Sequence, residues 1–329
     1  MTTRRRIVIA GGSGFIGRAI AARLANRGDE VVILTRSPRE SGNAPRIREV
    51  EWDGKTAGPW TSEIEGAYGV VNLTGKNVNC RYTRRNLAEI DASREDSVRV
   101  MAAAINGCTQ RPRVLVQAST TAIYGDAGDR WCDEMAPHGD GIPVQTATKW
   151  ERAFNTTITP RTRRVMLRMS FVLGREGGVF ELLARLSRWY LGGAVGTGRQ
   201  FISWIHIDDV VRIILRALDD ETMAGVYNAT GPTPVRNDEF MRQLRRALGR
   251  PWSPRVPAWL VHIGCLAVGT EPVLALTGRR VSPRRLVHEG FTFEYCDLPA
   301  TLRTILADEA VPASGGLAAK SHAAGAPVV

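Results

Sequence analysis

The chain has 329 residues, of which 43% are hydrophobic and 23% are charged. This composition is typical of a soluble globular protein of one large domain or two, and it excludes a disordered, collagen-like or coiled-coil chain. The formal net charge is +11. Nearly all of the cationic residues are arginines, because the sequence contains only four lysines. No zinc-finger or RNA-binding signature and no long block of like charges accompanies it, so we expect no nucleic-acid partner.

Five cysteines are scattered along the chain without a CxxC pair. This spacing predicts no metal site and no disulfide framework, and it favours reduced thiols in a cytoplasmic protein. The first apolar run, residues 7–10, is too short for the core of a signal peptide. The most apolar later stretch, residues 256–268, is too short to cross a bilayer. We therefore expect no membrane partner.

The first elements predict a βαβ unit. A short apolar run at residues 7–10 indicates a buried parallel strand, and a glycine-rich turn follows it. Apolar residues then recur every four positions over 18–27, which indicates a helix that ends at Gly28. Residues 30–34 form the next apolar run and predict a second strand.

Strand and helix patterns continue to alternate as far as residue 174. We expect strands near 47–51, 68–73, 113–118 and 164–169, and helices over 84–105 and 144–156. This alternation predicts an α/β fold in which a Rossmann-type doubly wound parallel sheet spans residues 1–174.

After Gly174 the pattern changes to helical segments separated by short strands and Gly/Pro turns. Helices are expected near residues 178–190, 208–218, 237–248 and 257–268. We predict a smaller C-terminal substrate or lid subdomain over residues 175–308, with some segments returning to the sheet. Residues 309–329 are rich in Ala, Gly, Ser and Pro and predict a disordered tail.

Three glycines separate the first strand from the first helix: Gly11, Gly14 and Gly17. In a dinucleotide-binding turn, the first allows a tight turn and the second lets the backbone approach a pyrophosphate. The third allows close packing of helix on sheet, and the helix N-terminus faces the anion. A glycine turn without a ligand is the alternative.

The end of the second strand indicates which dinucleotide is bound. A carboxylate there would bind the ribose 2′-hydroxyl of NAD, whereas arginine can pair with the 2′-phosphate of NADP. The chain has Thr35-Arg36-Ser37 at this point and no acid. It therefore predicts NADP, with a solvated surface Arg36 as the alternative.

The glycine turn, with Phe15 and Ile16, resembles the extended short-chain dehydrogenase/reductases. Residues 70–75 (VVNLTG) resemble the strand-four loop beneath the nicotinamide end of the cofactor, and residues 119–125 (STTAIYG) resemble the strand-five segment with the catalytic Ser/Thr. Further segments resemble the poorly characterised epimerase-like branch, the NAD-dependent epimerase/dehydratase family: residues 198–209, 227–232 and 280–286. These segments cover nearly everything but the tail.

The resemblance implies contacts to the cofactor in the glycine turn, at the ends of the second and fourth strands, on the long helix and beyond. These residues are Gly11, Ser13, Gly14, Phe15, Ile16, Gly17, Thr35, Arg36, Leu73, Thr74, Gly75, Glu89, Arg94, Lys149 and Val172. For Glu89 and Arg94 an exposed pair on a helix is the alternative interpretation.

The resemblance also implies a catalytic Ser/Thr, Tyr and Lys. The superfamily places Tyr-x-x-x-Lys about 25 residues after the Ser/Thr, and the tyrosine exchanges a proton with the substrate oxygen. Thr120 occupies the Ser/Thr position and Lys149 the lysine position, but Gln145 stands where the tyrosine is expected. Glutamine can hydrogen-bond a carbonyl but cannot donate and recover a proton as a phenol does.

Three functions follow from this substitution. We predict an NADP-dependent oxidoreductase for a small carbonyl-type substrate, as a monomer or homodimer, with the proton supplied by Tyr124, His206, or a water held by Thr120 and Gln145. One alternative is a redox-neutral epimerase, isomerase or lyase with bound NADP. The other is a non-catalytic NADP(H)-sensing protein. Tyr124 has a second interpretation, as a ring packed beside the nicotinamide.

Overall fold

The structure is a computed structural model and describes residues 5–39, 46–175 and 177–307. The predicted disordered tail lies outside the described residues. The strands are, in chain order, β1 (Arg6–Ala10), β2 (Glu30–Thr35), β3 (Ile47–Glu51), β4 (Gly69–Asn72), β5 (Val114–Thr120), β6 (Trp131–Cys132), β7 (Arg163–Met169), β8 (Phe171–Leu173), β9 (Phe201–Ile202), β10 (Trp204–His206), β11 (Gly225–Ala229), β12 (Val235–Arg236) and β13 (Arg280–Val281).

The helices lie between these strands and after the last one. In chain order they are α1 (Phe15–Arg27), α2 (Arg84–Gly107), α3 (Ile142–Thr156), α4 (Gly178–Arg188), α5 (Ile207–Asp219), α6 (Asn237–Ala247), α7 (Ala258–Val268), α8 (Val273–Leu276), α9 (Arg284–His288) and α10 (Leu298–Ala307). Each predicted helix and strand is present with its ends shifted by a few residues.

Seven strands form one parallel sheet in the order β11-β7-β5-β4-β1-β2-β3. The strands are buried apolar runs because helices cover both faces, with α2 packed against α3 and α1 against α5. The chain reverses its winding direction between β1 and β4. In open α/β sheets this reversal opens a crevice at the carboxyl ends of the strands, where ligands bind.

The chain after β8 divides its elements between the sheet and a second, smaller core. β11 pairs with β7 at the edge of the sheet, and α5 packs on the sheet against β5. The second core is built mainly from α4, α6 and α10, around Phe180, Phe240 and Leu302. Two-stranded pairings join early and late segments, since β6 pairs with β13. The α/β prediction with a smaller C-terminal part is confirmed, and the boundary at residue 174 stays a prediction.

No helix in the described ranges is both long and apolar enough to cross a membrane. The same part of the chain holds no cluster of His, Cys, Asp and Glu side chains that could bind a metal ion.

Candidate cofactor and substrate site

The glycine turn is tight, and at two of its glycines the neighbouring backbone leaves little room for a side chain. Gly11 has a φ of +76°, and a Cβ there would lie 3.1 Å from the carbonyl carbon of Leu73 on the neighbouring strand. A Cβ on Gly17 would lie 2.4 Å from the Cα of Gly12. The first turn of α1 can therefore press directly against the loop, as the roles predicted for the first and third glycines require.

The N-terminus of α1 is open to an anion. Gly14 is the N-cap of this helix and provides no side-chain hydrogen bond to it, so the N–H groups of the first turn remain available. The Arg18 guanidinium donates to the Ser13 carbonyl at 2.7 Å, and the Ser13 hydroxyl lies 3.4 Å from that of Thr35. These contacts join the glycine turn to the end of β2.

Arg36 follows β2 directly and is exposed. Its guanidinium forms no hydrogen bond or ion pair with any residue that the structure describes. Glu51, on β3, is the register partner of Thr35, so a carboxylate that the sequence pattern did not single out stands on the adjacent strand. Arg36 is nevertheless an exposed cation directly after β2, where the sequence predicts a contact to a 2′-phosphate.

The buried side-chain amide of Asn72 supports the loop after β4. Asn72 donates to the Gln117 side chain at 3.0 Å and accepts from the Thr74 backbone N–H at 3.1 Å. The Thr74 hydroxyl is buried without a hydrogen-bond partner among the described residues. Because a buried polar atom of this kind is costly, it is suited to a ligand that completes its hydrogen bonding.

Arg94 and Glu89, on α2, have different surroundings. Arg94 is 4% exposed, donates to the carbonyls of Lys76 and Ile90, and stands over the Trp150 ring at 4.9 Å. Burial lowers its pKa to about 10. A Cβ on Gly75 would come within 3.1 Å of the Arg94 guanidinium carbon, so the guanidinium packs closely on the loop after β4.

Glu89 is exposed and accepts from Lys76 and Arg85. The hydrogen bond from Lys76 is the largest cause of its lowered pKa. Arg94 and Glu89 are therefore not an exposed pair on a helix, because Arg94 is buried and only Glu89 lies on the surface.

Val172 and Phe15, both predicted cofactor contacts, lie near one another at the entry to α4. Val172 is buried on β8, and its carbonyl oxygen would lie 3.7 Å from a Cβ on Gly178. A Cβ on Gly174 or Gly177 would touch the Phe15 side chain. The first turn of α1 thus packs on the loop after β8, which brings Val172 to the glycine turn.

Gln145 and Lys149 lie one helical turn apart on α3 and line a cleft of about 360 Å³ together with residues 138–141. The Lys149 ammonium pairs with the carboxylate of Asp91 on α2, and Thr146 donates to the same carboxylate at 2.8 Å. Sequence analysis missed Asp91, because a single acid on a helix carries no motif until α2 and α3 are packed together.

Thr120 lines a different cavity. It ends β5, its hydroxyl accepts from the Ala122 N–H at 3.1 Å, and it opens into a space of about 60 Å³. Arg94, Thr146 and Tyr82 share that lining. The structure therefore separates Thr120 from the cleft that holds Gln145 and Lys149.

Tyr82 is the second residue that sequence analysis missed. It is half-buried, burial raises its pKa to about 12, and its backbone N–H donates to Glu271 at 2.7 Å. Leu274, from α8, closes the same cavity. Tyr82 lies in a loop without periodicity, so only the fold shows that it faces Thr120.

Tyr124 does not face either cavity. It is fully buried, donates to the Asn228 side chain at 2.7 Å and accepts from Arg168 at 3.0 Å. Burial raises its pKa to about 12. Because both hydrogen-bonding directions of the hydroxyl are used within the protein, this placement argues against the predicted proton transfer and against a ring stacked beside a nicotinamide.

His206, the other predicted proton source, caps a helix. Its Nδ1 accepts from the backbone N–H of Asp208 at 3.2 Å at the start of α5, and its ring stacks on Tyr295 at 3.7 Å. The residue is buried. These contacts account for a histidine at this position without a catalytic role.

The comparisons with known proteins agree with this geometry. The family described as "NAD dependent epimerase/dehydratase family" matches residues 7–229. The chain belongs to that family. A second match, a domain of unknown function (DUF1731), covers residues 256–305.

Relatives of this family member align over nearly their whole length. The epimerase family protein SDR39U1 of Bos taurus is 34% identical over 92% of this chain and 100% of its own, and YfhF of Bacillus subtilis is 31% identical over 92% and 98%. The crystal structure of human SDR39U1 with NADPH is 31% identical and superposes with a TM-score of 0.81, covering 92% of this chain and 99% of the human one. The predicted resemblance to the epimerase-like branch is confirmed.

A sugar-nucleotide enzyme also resembles this family member. The nucleoside-diphosphate sugar epimerase of Corynebacterium glutamicum is 28% identical with a TM-score of 0.73, covering 92% of this chain and 58% of that one. The fold is therefore shared with a sugar-nucleotide epimerase, but a shared fold does not determine the activity, which must be argued from the site.

Proposed function

We propose that this epimerase family member is an NADP-dependent oxidoreductase that acts on a small carbonyl-type substrate. The observation that carries the proposal is Lys149, whose ammonium is held by Asp91 at the mouth of a cleft that it shares with Gln145. A lysine in this position is the group that the short-chain dehydrogenase/reductase resemblance assigns to the cofactor ribose. The NADPH named with human SDR39U1 supports the choice of cofactor.

The residues at the glycine turn fit a bound dinucleotide phosphate. The open N-terminus of α1 would hold the pyrophosphate, and the Thr74 hydroxyl has an unfilled hydrogen-bonding capacity in the same region. Arg36 would pair with the 2′-phosphate through charge-assisted hydrogen bonds. When bound, NADPH would supply a hydride.

The substrate side is built around Thr120. Its hydroxyl would donate to the carbonyl oxygen of a substrate in the small cavity, and the apolar side chains of Trp150 and Leu274 would exclude water from it. A cavity of about 60 Å³ accommodates only a small reacting group. This volume favours a substrate whose carbonyl group carries small substituents.

The proton must come from a residue other than Gln145. We propose the Tyr82 hydroxyl, which lines the cavity with Thr120. A phenol is protonated at neutral pH, and burial raises the pKa of Tyr82 further, to about 12. A water held between Thr120 and Gln145, the other source considered from the sequence, is disfavoured because the two side chains line different cavities. Tyr82 would deliver the proton to the substrate oxygen.

One observation favours a second candidate, an NADP(H)-sensing protein without turnover. Lys149 and Gln145 line one cleft and Thr120 lines another, so the three groups do not surround a single space. A reductase requires them to act on one substrate, whereas a sensor requires only the cofactor.

The deciding experiment follows NADPH consumption over a panel of small aldehydes, ketones and enones. We expect turnover with at least one compound, a loss of about 10- to 100-fold in kcat/KM for Lys149→Ala, and no change for the exposed control Lys55→Ala. The loss follows because a hydrogen bond from a charged group, here the one expected to the cofactor ribose, contributes about 1.5–3 kcal/mol. Isothermal titration checks that both variants fold and bind. Tight NADPH binding without turnover of any compound would instead support the sensor.

A further inference from the structure

A helix that is apolar on all sides lies at the surface of the protein. α7 has the sequence AWLVHIGCLAV, and Val261 is its one buried residue. Trp259 is 64% exposed, Ile263 54% and Leu266 62%. Helices that are apolar all round are ordinarily enclosed by protein or by lipid, so this exposure indicates a surface that something else covers.

The segments next to α7 enlarge this apolar surface. Trp189, at the end of α4, is 76% exposed, and Trp252 is 66% exposed. The two segments touch, since the Ser253 hydroxyl donates to the Tyr190 carbonyl at 2.6 Å. We call the whole surface the tryptophan face and define it by its exposed side chains: Trp189, Tyr190, Trp252, Trp259, Ile263 and Leu266.

The segments that carry the tryptophan face are rich in arginine, although Arg242 among them pairs with Glu239 just outside. Residues 182–200 and 240–268, which carry the face, contain eight arginines and no Asp or Glu. The arginines lie among the aromatic rings: Arg250 donates to the Arg188 carbonyl at 3.2 Å, and its guanidinium stands 5.3 Å from the Tyr190 ring. The face therefore combines tryptophan and aliphatic side chains with a basic border.

We propose that the tryptophan face binds the surface of a membrane containing anionic phospholipids. Tryptophan and tyrosine rings are favoured at the level of lipid headgroups, where one end of the ring is apolar and the other is wet. Arginines near the surface are attracted to anionic lipids. α7, with eleven residues, is too short to cross a bilayer but long enough to lie along its interface.

A second copy of the chain fits this surface less well. A symmetric contact through the face would bring two arginine-rich groups together, and like charges across an interface are repulsive. A bilayer surface supplies both parts that the face lacks, an apolar layer and a dense negative charge.

The test is flotation of the full-length protein with vesicles of two compositions, phosphatidylcholine alone and phosphatidylcholine mixed with phosphatidylglycerol. We expect binding to the mixed vesicles that decreases with added salt. Ile263→Glu combined with Leu266→Glu should abolish it, while Ile158→Glu, an equally exposed aliphatic position outside the face, should leave it unchanged. Arg246→Gln with Arg255→Gln should weaken it by about thirtyfold, since each arginine near an anionic surface contributes about fivefold.

All of these variants change exposed side chains, and circular dichroism checks that they remain folded. Absence of binding to either kind of vesicle overturns the proposal, as does an equal loss in the Ile158→Glu control. A stable dimer in solution that Ile263→Glu with Leu266→Glu dissociates would also overturn it, because the occupant would then be a second copy.

Discussion

Three cations near the candidate site have different surroundings, and these decide what each can bind. Arg94 is enclosed and held by backbone carbonyls, and Lys149 is neutralised by Asp91. Arg36 is exposed and has no partner within the described ranges. Sequence analysis predicted all three as cofactor contacts, but it could not distinguish them, since a charged residue shows its surroundings only after folding.

The unpaired Arg36 leads to a prediction about cofactor choice. Arg36→Ala should weaken NADPH binding by about 10- to 100-fold, because a hydrogen bond to a charged group contributes about 1.5–3 kcal/mol. NADH lacks the 2′-phosphate, so its affinity should not change. Isothermal titration with both dinucleotides measures the difference, with Arg23→Ala on the exposed side of α1 as the matched control. An equal loss for NADH and NADPH would contradict the assignment.

At the scale of the elements, the apolar pattern predicted the end of α1 correctly but not its start. The four-residue apolar period and Gly28 located the helix and its end, and Gly28 indeed caps it with a φ of +97°. The predicted start at residue 18 was late by three residues. The glycines around the start of the helix obscure the pattern, although the backbone is helical from Phe15 and Gly17 packs closely on Gly12.

The close approach in α1 predicts opposite effects for two glycine substitutions. Gly17→Ala should destabilise the protein by about 1–3 kcal/mol, because the added Cβ would overlap the rigid backbone of Gly12. Gly264→Ala, in the middle of α7 with nothing within 4 Å of the added Cβ, should stabilise it by about 0.5–1 kcal/mol. Chemical denaturation gives both values. Equal effects of the two substitutions would show that the contact at Gly12 is not limiting.

At the scale of the whole molecule, one buried polar network connects the sheet to the later segments. Glu151 on α3 accepts from Arg168 on β7 and from Ser119 on β5. Arg168 also donates to the Tyr124 hydroxyl, which in turn donates to Asn228 on β11. The Arg168 guanidinium forms an ion pair with the Glu151 carboxylate, and both side chains are 6% exposed.

This pairing predicts a non-additive pair of substitutions. Arg168→Met should cost about 3–5 kcal/mol in the free energy of unfolding, because it leaves the Glu151 carboxylate buried without a cation to compensate its charge. Adding Glu151→Leu should recover much of that loss, since the uncompensated charge is then removed. Urea denaturation of the two single variants and the double variant completes the cycle. Additive losses would show that the two side chains act independently.

The sequence by itself determined what depends on local patterns: the βαβ order, the parallel sheet, the glycine turn and the family. These follow from hydrophobic period and from glycines whose backbone geometry is set by their neighbours in the chain. The tertiary structure alone decided which side chains meet, because these come from distant segments. Asp91 pairs with Lys149, Tyr82 lines the same cavity as Thr120, and the Tyr124 hydroxyl accepts a hydrogen bond from Arg168. It also decided where the arginines lie, because a net charge has no position until the chain folds, and Arg250 then stands beside Tyr190 on the tryptophan face.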